Sequence, residues 1–143
     1  GSPAKVSRSP STGARAADGQ SFLDSMARIL AGATLAEAHP GGNSTIGIVA
    51  TNATLTKIEA TKVAQMAHDG LARTINPIHT AFDGDTIFAA ATGSVAAHAD
   101  VSTIGAVAAE AIAHAVNRAV LTAESLPGLP AYRDLTWAKD RRP

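Results

Sequence analysis

Pro40-Gly-Gly-Asn-Ser-Thr-Ile-Gly-Ile-Val-Ala-Thr51 passes from a flexible turn straight into an apolar, β-branched run, and the rest of the chain is read outward from that junction. The run from Thr45 to Thr51 lacks polar alternation, which is the pattern of a strand covered on both faces. Just beyond it, Thr56-Lys-Ile-Glu59 is a capping box. The Thr56 hydroxyl can accept from the third residue's N–H while Glu59 reaches back, starting a helix expected to run to about Ile75 and to stop at Pro77. Asp83-Gly84-Asp85 is a turn feeding a second short apolar strand, Thr86 to Thr92, expected to end at Gly93. Ile104, Val107, Ala108, Ala111, Ile112, Ala115, Val116, Ala119 and Val120 then trace one continuous helical face. Strand, helix, strand, helix is the order of an α/β fold. Two strands apolar on both faces make a poor sheet by themselves, so these elements read as part of a larger sandwich. Oligomerisation or a longer N-terminal portion would complete it.

Upstream of the junction, residues 1–20 are rich in Ser, Gly, Ala and Pro without an apolar period, the composition of a linker or unfolded end. Phe22, Leu23, Met26, Ile29 and Leu30 fall at helical spacing and predict a short amphipathic helix. Downstream, Leu126 to Pro143 contains Pro127, Gly128 and Pro130 and reads as a tail lying over the surface. A length of 143 residues fits one domain with a real core. Twelve basic and twelve acidic residues cancel, so no overall positive field draws in nucleic acid or an anionic membrane. The apolar segment Ile104 to Leu121 carries Glu110, His114, Asn117 and Arg118, too many polar groups for a lipid-spanning helix, and the start lacks a signal-peptide h-region. The expectation is a cytoplasmic protein that binds neither nucleic acid nor membrane. Without cysteine there is no disulfide, thiolate zinc site or thiol nucleophile, so any nucleophile is an oxygen or a nitrogen.

Ser44 is the first candidate. Glycines before it allow a tightly turned peptide, and the strand after it fixes the hydroxyl. Attack of that hydroxyl on the Asn43 carbonyl would give an ester, and hydrolysis would free an α-amine on Ser44. With an ordinary pKa of about 7.7–8.0, that amine is partly unprotonated near neutrality and can serve as the serine's own base. Taken alone, however, Gly-Gly-Asn-Ser is first of all a polar turn leading into a strand. Asp83 and Asp85, two residues apart, would point to one side if the second strand began there, and paired carboxylates can hold an ammonium, orient a base or share a proton. Asp-Gly is equally a common turn with solvated acids. His39, His68, His79, His98 and His114 show no metal-ligand spacing, so no metal is expected. His114 reads as packed, and His79 as structural before pocket-lining. Neither a Walker pattern nor GxGxxG occurs, and no cofactor is expected.

Combined, Asn43-Ser-Thr-Ile-Gly-Ile-Val-Ala-Thr-Asn-Ala53, Leu55-Thr56, Val63-Ala-Gln-Met-Ala-His-Asp-Gly-Leu-Ala-Arg73, Asn76-Pro-Ile-His-Thr80, Asp83-Gly-Asp-Thr-Ile-Phe-Ala89 and Pro130-Ala-Tyr-Arg-Asp-Leu135 resemble the P1-type (DmpA-like) peptidases. That family comprises L-aminopeptidase/D-esterase, the β-peptidyl aminopeptidases and the nylon-oligomer hydrolases. The resemblance implies an αββα sandwich like that of the N-terminal-nucleophile hydrolases, and a precursor that cuts itself before a Ser or Thr into α and β subunits that stay together. Carried onto this chain, it implies autocleavage between Asn43 and Ser44. Residues 1–43 then form the end of an α-subunit-like region, and residues 44–143 the β-subunit-like region. Ser44 becomes the nucleophile, and the family's acidic or polar pair falls on Asp83 and Asp85, both aspartates as in the nylon-hydrolase branch. Most of an α subunit, with the family's lysine, asparagine and tyrosine, lies outside this chain.

The expected function is therefore a self-processing N-terminal-serine hydrolase of aminopeptidase type, acting on a peptide or small amide. Its expected partners are an α-subunit-like N-terminal portion and further copies of itself in a homo-oligomer. The alternatives are a non-catalytic truncated relative serving as an assembly or binding module, and an acyl transferase like the ornithine acetyltransferases.

Overall fold

The computed structural model describes residues 24–34, 44–81, 83–95, 100–128 and 130–135. Helix α1 (Ser25–Leu30) is capped by the Asp24 carboxylate, which accepts from the Ala27 N–H at 2.9 Å. Strand β1 (Ile46–Ala53) leads into helix α2 (Lys57–Ala72), and strand β2 (Thr86–Val95) into helix α3 (Val101–Thr122). A short 3₁₀ turn comes next at Tyr132–Asp134. Both halves of the capping box form, with the Thr56 N–H donating to Glu59 at 2.7 Å and the Glu59 N–H to the Thr56 hydroxyl at 3.3 Å. Thus α2 starts where the sequence predicts and ends a few residues short of Ile75. Asp100 caps α3. The Thr103 backbone N–H, and then its hydroxyl, bond to this carboxylate and hold it below the usual carboxylate range.

The strands pair in parallel, Ile46 opposite Thr86 through Thr51 opposite Ala91. After an irregularity pairing resumes at Ala53 opposite Val95. Strand β2 therefore continues past Gly93 instead of ending there. Gly93 takes φ +64°, a conformation only glycine adopts at no steric cost, so it bends the strand without breaking it.

Both long helices lie on one face of the sheet. Val63, Ala67 and Leu71 of α2, Ile87 of β2, and Ala108 and Ile112 of α3 form the core, with Val49 and Ala89 packed against it. Side chains along a strand alternate between faces, so Ile46, Ile48 and Phe88 point the other way. They are 74%, 66% and 57% exposed. Coverage on both faces, the reading of these apolar runs, is met on one face only, because among the described residues no element lies over the second. Among the described residues each strand also keeps one unpaired edge. Between the sheet and α3 runs an apolar groove of about 450 Å³, lined by Val49, Ala89, Ile104, Val107, Ala111 and Ala115 among others. By length and composition α3 is apolar enough to cross a membrane, in spite of the polar residues counted against this in the sequence. Its inner stripe packs on α2, and Glu110 on its outer side pairs with Arg73 at 3.0 Å. The described part of the tail folds back beside α3. The Ser125 hydroxyl donates to Asp134 and accepts from the Ala131 N–H, and Leu135 is fully buried.

Candidate active site

In a parallel pair both strands start at the same end of the sheet. The residues preceding β1 and those preceding β2 are therefore neighbours although about forty positions apart in sequence. The Thr86 N–H donates to the Thr45 carbonyl at 2.8 Å, and the Thr45 N–H donates to Oδ1 of Asp85 at 2.9 Å. The ladder is extended one step beyond the strands by a carboxylate. Ser44, the residue before, is exposed, and its hydroxyl lies directly over Gly84. A Cβ at position 84 would stand 2.5 Å from Ser44 Oγ, so the bare backbone there makes room for this hydroxyl.

Asp85 is the most enclosed charged group of the site, its side chain 2% exposed. Oδ2 accepts no hydrogen bond among the described residues and stands 3.2 Å from Nδ1 of His79, an ion-pair distance without hydrogen-bond alignment. A buried carboxylate oxygen with a free lone pair is costly unless a positive group or donor faces it. On its other side His79 meets His68 of α2, with Nε2 and Nδ1 3.2 Å apart and the ring centroids 4.8 Å apart. His79 holds φ +58°, an uncommon conformation for a residue with a side chain.

Asp83 does different work. Its Oδ2 accepts the Thr80 N–H at 2.7 Å and its own N–H donates to the Thr80 carbonyl at 3.1 Å, closing the loop that carries His79. Because β2 begins at Thr86, Asp83 and Asp85 both lie before the strand, and its alternation does not set their directions. The structure thus brings Ser44 and Asp85 together and leaves Asp83 bracing the loop beside them. Asn43, on the other side of the expected cut, lies outside the described residues, as do His39 and His98. Gly84 and His68 are the site residues that sequence reasoning missed. Gly84 stood in plain view inside Asp83-Gly84-Asp85, whereas nothing in the spacing of His68 linked it to residue 79. The apolar groove touches none of Ser44, Asp83 or Asp85. Among the described residues no cluster of His, Asp and Glu is arranged to hold a metal ion.

Known proteins similar to this chain carry aminopeptidase and oligomer-hydrolase names. The chain is 50% identical over 103 residues to an uncharacterised aminopeptidase of Mycobacterium leprae, a match covering 63% of this chain and 28% of that protein. It is 44% identical over 106 residues to an uncharacterised aminopeptidase of Mycobacterium tuberculosis, covering 65% of this chain and 31% of the relative. A 6-aminohexanoate-oligomer endohydrolase of a Kocuria species is 39% identical over 54 residues, 38% of this chain and 15% of the enzyme. The chain thus spans about three tenths of the length of the aminopeptidases it matches. The family model for peptidase family S58 matches residues 12–132, most of the sequence, and the chain belongs to that family.

Proposed function

We propose that this chain is the nucleophile-bearing part of a self-processing amide hydrolase, in which Ser44 first cuts the bond to Asn43 and then, as the new N-terminal residue, attacks the substrate. The observation that carries this reading is the buried Asp85 carboxylate. One oxygen holds the amide next to Ser44 while the other has no hydrogen bond among the described residues.

In the processing step Ser44 Oγ attacks the Asn43 carbonyl carbon, the peptide C–N bond breaks, and the hydroxyl proton passes to the departing nitrogen. Water then hydrolyses the ester, leaving a carboxylate on Asn43 and an α-amine on Ser44. In turnover that amine takes the proton from Oγ as the serine attacks a substrate carbonyl, and returns it to the leaving amine. Water clears the acyl group by the same exchange. Oδ2 of Asp85, which accepts no hydrogen bond among the described residues and keeps a lone pair beside His79, is suited to accept from the Ser44 ammonium and so stabilise the protonated form. Asp83 braces the loop, or takes up the substrate's own amine. An aminopeptidase acting on a peptide or small amide follows from this chemistry and from the relatives' names.

The uncovered sheet face supports the larger assembly. In an αββα sandwich, Ile46, Ile48 and Phe88 would be covered by a second sheet supplied by an α-subunit-like portion, to which residues 1–43 belong, with residues 44–143 as the β-subunit-like region. Copies of such a unit associating through the remaining apolar surface would form the homo-oligomer.

Intact mass with N-terminal sequencing of the purified full-length protein tests the reading. The expected result is a new terminus, Ser-Thr-Ile-Gly, that disappears in Ser44→Ala together with amide-hydrolysing activity, while the variant keeps its fold. An uncut protein, or a Ser44→Ala variant that still splits at this bond, rejects the mechanism in favour of a non-catalytic assembly module.

A further inference from the structure

We infer that His79, backed by His68, is a positioning residue of the Ser44 site: it holds Asp85 against the Thr45 amide and thereby sets the direction of the serine. The inference deepens the proposed function and rests on it. Three observations on different elements converge on it.

The first is electrostatic. Asp85 is nearly fully enclosed, yet among the described residues the only basic side chain within ion-pair distance of it is His79, through Nδ1 at 3.2 Å. A carboxylate only accepts, so a ring proton on Nδ1 is the arrangement that turns a donor toward Asp85. Nε2 of His79 stands 3.2 Å from Nδ1 of His68, and which of the two donates depends on the ring tautomers. The two rings and the carboxylate form a single polar chain, running from α2 through the loop to the start of β1. The second observation is conformational. His79 keeps φ +58°, and such a backbone persists only where its surroundings over-determine it. Asp83 supplies one constraint by closing the turn on Thr80, and His68 and Asp85 supply the others from either side of the ring. The third is spatial. Asp85 Oδ1 accepts from Thr45 N–H, one residue from Ser44, so a rotation of the carboxylate is transmitted to the nucleophile through a single peptide.

The functional consequence is that His79 acts on the reaction through Asp85. Its loss should lower the rate by more than it lowers stability. Asparagine tolerates positive φ and offers a side-chain N–H, so His79→Asn is the conservative variant. Three variants of the full-length protein, His79→Ala, His79→Asn and His68→Ala, are to be followed by the rate of cleavage before Ser44, by thermal melting, and by the NMR shift and hydrogen-exchange protection of the Thr45 amide. We expect His79→Ala to slow cleavage about 10- to 100-fold and to expose the Thr45 amide, both by more than its fall in melting temperature accounts for. His79→Asn should recover most of both signals, and His68→Ala should lose a smaller part of each. Wild-type cleavage and an undisturbed Thr45 amide in His79→Ala would overturn the inference, as would losses in both His79 variants that merely track a fall in melting temperature. Should the wild-type protein itself not cleave, the proposed function fails. The Thr45 amide alone then decides whether His79 holds Asp85.

Discussion

Gly84 has no side chain where the Ser44 hydroxyl sits. Gly84→Ala would bring a methyl group within 2.5 Å of Oγ, and the cheapest relief is for this exposed serine to swing to another rotamer. We predict a stability change within about 0.5 kcal/mol, as for ordinary surface substitutions, together with a cleavage rate about 10- to 100-fold lower. A variant that cuts at the wild-type rate would mean that the rotamer held by Gly84 has no part in the reaction. At this scale the place of Ser44 just ahead of a strand was legible because the apolar run that follows it is local. Asp85 was half legible. The sequence marked it as an acid in a turn, but its burial and its bond to Thr45 exist only once two strands about forty residues apart lie side by side. The link between His79 and His68 was not legible at all, since it depends on the rotation of α2 about its axis relative to a loop closed by Asp83.

Helices α2 and α3 meet at Gly70, where an added Cβ would stand 2.3 Å from the Ala109 carbonyl oxygen and 2.8 Å from Ile112 Cβ. Backbone cannot step aside as a side-chain tip can, so Gly70→Ala forces the helices apart. We expect a net loss of about 1–3 kcal/mol in urea unfolding, even though alanine is the better helix former by about 1 kcal/mol. Gly105 is the internal control. There the nearest atom is Met66 Sδ at 2.3 Å, the tip of a flexible side chain, so Gly105→Ala should cost clearly less than Gly70→Ala. Equal costs at the two positions would contradict this account of the contact. Element boundaries obeyed chemistry that could be read in advance wherever a cap set them, as Thr56 and Glu59 did for α2. They departed where a neighbour set them. Strand β2 outlasted Gly93 because Val95 finds Ala53 across the ladder.

The molecule as a whole presents a sheet with helices on one face and apolar side chains on the other. The apolar runs at Thr45–Thr51 and Thr86–Thr92 forecast a sheet with no solvent face, and the described residues supply half of that covering. If the remainder of a sandwich covers the second face in the full-length protein, Ile48→Thr and Phe88→Thr should each destabilise it by about 1.5–3 kcal/mol. Were the face open to water there, each change would fall within about 0.5 kcal/mol, so a melting series separates the two cases. At the rim of this sheet, Thr45 is moored on both sides, its carbonyl tied to Thr86 and its amide to Asp85. A terminus newly made by a cut before Ser44 would then have one residue of slack: too short a tether to fray into solvent, and long enough for an amine to turn toward its own hydroxyl.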